Sequence, residues 1–161
     1  MLGAEIREQV TNYVGQRIQA LRNENPGQWG NVSVLRSNTM KYLVNYVRKG
    51  QLEKMFFCFP DPHFKRKNWR RRIINDGLLS QYAYVMKIGG LLYTVTDVKE
   101  LFDWEYDCLK RHPLFEEVPR EELEKNGDPV LNAIENDTEE GMKVKRNGKP
   151  CWSACFRRIE S

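Results

Sequence analysis

The sequence predicts an α/β fold with an open, mostly parallel sheet. Two observations point to it. Short β-rich apolar runs alternate with segments of helical period, the order in which strand, helix and strand build parallel sheets. The clearest strand candidates, Lys54–Phe59 and Leu91–Val95, stop abruptly in polar or Pro-rich tips. Sites in open α/β sheets lie at such carboxyl ends. A chain of 161 residues fits one domain, so 1–161 reads as a single unit.

The elements follow in order. Ile6, Val10, Tyr13, Val14, Ile18 and Leu21 recur at helical spacing and predict an amphipathic helix over Glu5–Arg22. Asn25-Pro26-Gly27 breaks it. Val32–Leu35 reads as a short strand and Met40–Val47 as a helix that stops near Gly50. Lys54–Phe59 is a continuous apolar run, as expected of a parallel strand covered on both faces, with Phe56, Phe57 and Phe59 in the core. Leu78–Met86 suits a helix ending at Gly89-Gly90, Leu91–Val95 a strand, and Lys99–Arg111 a further helix. Beyond His112-Pro113 the chain turns acidic and looser, and Cys151–Ile159 reads as a last strand.

Composition excludes more than it selects. Hydrophobic content is 40%, charged content 30% and the formal charge +4, an ordinary balance for a globular chain. The distribution is uneven. From Asp61 to Arg72 six cations stand against one acid, whereas Glu116–Glu140 holds ten acids against Arg120 and Lys125. The first stretch should attract polyanions and the second repel them. Cys58, Cys108, Cys151 and Cys155 are scattered without a CxxC pair, and His63 and His112 are the only histidines. That spacing argues against a zinc site and for reduced thiols. No apolar run has the length of a membrane span.

The densest constellation is Phe59-Pro60-Asp61-Pro62-His63-Phe64-Lys65-Arg66. Two prolines restrict the backbone around Asp61, and the cations that follow make a poor core segment and a good phosphate-contacting loop. A Pro-rich turn followed by a solvated basic face is the competing reading. Trp69, set among the cations, either stacks on a nucleobase or folds back onto the sheet. Taken bare, Glu5 is an acid in a first helical turn, Asn38 a helix N-cap, and Thr138 with Glu140 a capping pair.

The string FFCFPDPHFKRKNWRRRII resembles the FPDPHFK signature of the eukaryotic tRNA (guanine-N7-)-methyltransferases, in their catalytic subunit. Gly3-Ala4-Glu5-Ile6-Arg7, Leu35-Arg36-Ser37-Asn38, Gly89 to Asp97 (GGLLYTVTD) and Thr138-Glu139-Glu140-Gly141 are similar to that family's other motifs, in the same order. The resemblance implies a Rossmann-like class I S-adenosylmethionine-dependent methyltransferase fold and methyl transfer to N7 of a guanine in the tRNA variable loop. It implies that Asp61 orients the guanine and balances its developing charge. Glu5 would hold the cofactor ribose hydroxyls and Arg7 would be a second cofactor-side contact, Asn38 and Thr39 would meet the adenine edge, and Thr138 and Glu140 would return to the active site. Cys58 stands near the cofactor, where the family usually has a larger apolar residue. His63, Lys65, Arg66, Lys67, Arg70, Arg71 and Arg72 would meet the tRNA. No metal is implied; a WD-repeat partner subunit and a nuclear location are.

One departure stands out. Glu5 has four residues before it, whereas in nucleotide-binding folds the ribose-binding acid follows a glycine-rich turn by about twenty residues. The sequence is therefore expected to lack that fold's first strand, glycine-rich turn and first helix. Gly27 to Gly30, in a break, is not expected to replace the turn. The missing strand should expose the apolar edges of its neighbours or leave a gap between them, and these 161 residues should bind S-adenosylmethionine weakly or not at all. A non-catalytic tRNA- or partner-binding module of the same family is the alternative reading.

Overall fold

The computed structural model describes residues 1–160, and the chain divides into two compact units, Met1–Tyr46 and Val47–Ser161. The first holds strand β1 (Leu2–Glu5), helix α1 (Glu8–Glu24), strand β2 (Ser33–Arg36) and helix α2 (Thr39–Tyr46). β1 and β2 pair in parallel, with Glu5 opposite Arg36. The helix expected from Glu5 thus starts three residues later, because Leu2–Glu5 is drawn into a strand by a partner more than thirty residues away. The acid of the first helical turn is Glu8.

The second unit contains β3 (Leu52–Cys58), a 3₁₀ turn (Arg66–Arg71), α3 (Asp76–Val85), β4 (Met86–Thr96), α4 (Lys99–Arg111), β5 (Phe115–Glu117), α5 (Arg120–Lys125), α6 (Val130–Asn136), α7 (Glu139–Arg146) and β6 (Trp152–Arg158). Its sheet runs β3-β4-β6-β5, with β3 parallel to β4 and β6 antiparallel to both β4 and β5. One face of β4 and β6 carries Tyr93, Val95 and Cys155 against Val118, Leu123 of α5, and Leu131 and Ile134 of α6. The opposite face turns Thr94 toward α4, where its hydroxyl meets Glu105.

Three further expectations need correction. β3 is an edge strand whose one neighbour among the described residues is β4. Within it Met55 alone is buried, and Phe56 is 39% exposed, stacked on Tyr93 across the strand pair. An apolar run reports strand propensity and cannot say whether both faces are covered. Second, Gly89-Gly90 does not end a helix. Helix α3 stops at Val85 and β4 passes through both glycines, where the β3–β4 register shifts. Gly89 has φ +81°, and a Cβ on Gly90 would stand 2.8 Å from the Lys87 carbonyl and 3.0 Å from that of Glu53. The pair is a strand irregularity that only glycine fits. The segment expected to be loose, after Pro113, folds into β5 and three short helices.

Candidate functional site

In the first unit the carboxyl ends of two parallel strands lie together. The main-chain N–H of Ser37 donates to the Glu5 carbonyl at 2.9 Å, so Glu5 and Asn38 flank one strand end. The Glu5 carboxylate accepts from the Arg7 main-chain N–H at 2.8 Å and from its guanidinium Nε and Nη2, each at 3.2 Å. Burial pushes the Glu5 carboxyl up, but the Arg7 hydrogen bonds and charge outweigh it and hold the group below the usual carboxylate range. Asn38 precedes α2, its carbonyl accepting from Lys41 and Tyr42, and Thr39 opens that helix. An ionised carboxylate at a parallel strand tip, with lone pairs to spare, suits a ribose diol. The Gly27 to Gly30 turn runs from α1 into β2, helix before strand, opposite to a phosphate-cradling glycine turn.

In the second unit the site residues gather at the carboxyl end of β3 and β4. Cys58, exposed, ends β3 opposite Val95, and the next N–H, of Phe59, donates to the Val95 carbonyl at 2.8 Å. Phe59 then takes φ +50° and His63 φ +46°. Bulky residues rarely adopt this left-handed region, at a cost of about 1–3 kcal/mol each. The Asp61 side chain is 73% exposed. Its Oδ1 accepts from the His63 main-chain N–H at 2.9 Å, with His63 Nδ1 3.7 Å away, and its Oδ2 takes no hydrogen bond from a described residue. The carboxylate is braced on one oxygen and open on the other.

The basic run divides. Lys65, Arg66, Lys67, Arg70 and Arg71 are exposed. Arg72, grouped with them in the sequence, is 1% exposed and so is not available to RNA. Charge density along a sequence cannot reveal this, because Arg72's burial comes from Glu100 and Trp104 on α4. Trp69 folds back, its ring 5.5 Å from that of Trp104. The aromatic left in the open is Phe64, 66% exposed between His63 and Lys65. Sequence reading passed over it, and an aromatic flanked by cations was the available signal.

Thr138 is the N-cap of α7, its hydroxyl accepting from the Gly141 N–H at 3.1 Å and donating to the Ile134 carbonyl at 3.0 Å. Glu140 pairs with Lys143 at 3.1 Å. A Cβ on Gly141 would come within 2.3 Å of the Glu135 carbonyl, so the glycine permits the close turn from α6 into α7. Glu135 in turn accepts from Ser153 and Arg120. Ser153 lies opposite Val95 on β6, and Phe59 packs against the cluster that contains Ile134. The Thr138 turn and the Asp61 turn therefore share one end of the sheet. Sequence reading also missed Glu105, fully buried on α4; its place on the stripe of Leu101, Cys108 and Leu109 was the signal.

Known proteins bear on this arrangement. The family model described as "Putative methyltransferase" matches residues 1–154. A tRNA (guanine-N(7)-)-methyltransferase of Oryza sativa subsp. indica is 57% identical over 159 residues, 99% of this chain and 61% of its own. The mouse protein of that name is 54% identical over 160 residues, 99% of this chain and 59% of its own. The chain thus spans about three-fifths of the length of these relatives. Among solved structures, an S-adenosylmethionine-dependent O-methyltransferase of Thermotoga maritima aligns with TM-score 0.56 at 10% identity, over 99% of this chain and 50% of that one. An rRNA methylase of Streptococcus thermophilus gives 0.53 at 14%, over 99% and 73%. These structures share the α/β methyltransferase fold, and the match over residues 1–154 shows that the chain belongs to this methyltransferase family.

Proposed function

We propose that the chain forms the greater part of the catalytic subunit of a tRNA guanine-N7 methyltransferase. The observation that carries this is the Asp61 turn: a braced carboxylate at a strand tip, followed within four residues by exposed cations. S-adenosylmethionine, when bound, supplies an electrophilic methyl group on its sulfonium. In the first unit Glu5 would hold its ribose hydroxyls, Arg7 would add a second contact, and Asn38 and Thr39 would border its adenine. In the second unit, taken by itself, Cys58 is no nucleophile, and the Thr138–Glu140 turn lies at the same end of the sheet as Asp61.

Guanine N7 already carries an in-plane lone pair, so no strong base is needed. The task is alignment and stabilisation of the positive charge that grows on the purine. Asp61 performs both parts. Its open Oδ2 and the remaining lone pair of Oδ1 accept from guanine N1–H and the 2-amino group, which adenine cannot offer in that pattern. Lys65, Arg66, Lys67, Arg70 and Arg71 neutralise tRNA phosphates and bring the variable loop to Asp61, and His63 contacts the RNA from the turn. The relatives' names support tRNA as the substrate. A WD-repeat partner and a nuclear location belong to the same reading through the FPDPHFK form of the motif. No helix among the described residues is long and apolar enough to cross a membrane.

Asp61→Asn is the direct test. Methyl transfer to tRNA should fall by about a hundredfold or more while tRNA affinity stays within about twofold. Undiminished turnover would remove Asp61 from the role.

A further inference from the structure

We propose that Arg72 is the positioning residue of the Asp61 turn, fixing the carboxylate from inside the protein without touching RNA; the inference rests on the reading of Asp61 given above.

The turn has few ways to hold itself. Pro60 and Pro62 lack an N–H, and Phe59 and His63 sit in left-handed conformations that must be imposed from outside. Among the described residues three hydrogen bonds restrain it: Phe59 N–H to the Val95 carbonyl, His63 N–H to Asp61 Oδ1, and Arg72 Nε to the Pro62 carbonyl at 2.9 Å. The first ties the turn to β4 and the second is internal. Of these, the third anchors the far side of Asp61 to the body of the unit.

Arg72 is built for this. Its Nη2 donates to Glu100 Oε1 at 2.5 Å, and its guanidinium lies 4.7 Å from the Trp69 ring centre and 5.2 Å from that of Trp104. Trp104 is itself held, its Nε1 donating to the Ile74 carbonyl at 2.8 Å. A buried cation is costly unless its donors and charge are satisfied. Here a carboxylate and a main-chain carbonyl take two of its five N–H donors, and two indole faces stabilise the charge. Only a planar fork can lie over indole faces while donating in two directions; a lysine ammonium cannot.

The test compares Arg72→Lys and Arg72→Met with the unaltered chain by amide hydrogen exchange, tRNA binding over a salt series, and turnover. Exchange at the His63 amide, which is hydrogen-bonded to Asp61, should quicken about tenfold or more in both variants, with the β4 and β6 amides unchanged. The slope of log affinity against log salt should not move, and kcat should fall about tenfold with KM for tRNA unchanged. Should Arg72→Met fail to fold, Arg72→Lys carries the comparison. Unchanged exchange at His63 overturns the proposal, as does a shallower salt slope, which would make Arg72 a phosphate contact. Asp61→Asn run in parallel separates the two readings: if it retains turnover, the role of Asp61 fails while the exchange data still decide what Arg72 holds.

Discussion

Thr94 on β4 donates its hydroxyl to Glu105 on α4, with both side chains fully buried and the second carboxylate oxygen of Glu105 without a hydrogen-bond partner among the described residues. Burial pushes the Glu105 carboxyl up to about 7, against the opposing pull of the Thr94 bond and the Arg72 charge. The folded protein therefore holds this proton more tightly than the unfolded chain does. Stability from it is complete below about pH 4.5 and drains away as pH rises through about 7. The ceiling is about 3 kcal/mol. Glu105→Gln, neutral throughout, should flatten this part of the stability profile in urea unfolding between pH 5 and 8. Parallel profiles would show that Glu105 ionises normally.

The exposed cations make a separate claim. Replacing Arg70 and Arg71 together with glutamine should weaken tRNA binding and reduce the salt slope by about 1.4–1.8, if each meets one phosphate. Fluorescence titration from 50 to 300 mM salt reads this directly. A slope that stays put means that these side chains face away from the RNA.

Phe64 should behave differently from the cations around it. Loss of one base–aromatic stack costs about 1–3 kcal/mol with no change in charge. Phe64→Ala is thus expected to weaken tRNA binding by about tenfold or more at every salt concentration, leaving the slope intact. Equal affinities of the two proteins would rule out stacking.

Gly141 tests the turn between α6 and α7. Alanine there would drive its Cβ to within 2.3 Å of the Glu135 carbonyl, a main-chain atom that cannot swing aside. Gly141→Ala should cost about 1–3 kcal/mol, seen as a lower thermal unfolding midpoint. An unshifted midpoint would show that the two helices can part at little cost.

By itself the sequence determined the α/β class, the helix Lys99–Arg111 to the residue, and the motif that ends β3. Periodicity and proline placement act over a few residues, and one sequence displays them fully. Burial does not work that way. Arg70, Arg71 and Arg72 are identical as letters, yet the third is enclosed because Glu100 and Trp104, on a helix about thirty residues away, close around it. Trp69 was taken inward by the same helix and Phe64 was left outside. Periodicity alone did not show the strand Leu2–Glu5 for a similar reason, since its pairing partner lies beyond α1. Tertiary structure decided these matters because hydrogen bonds and ring contacts form between residues that only the folded chain brings together.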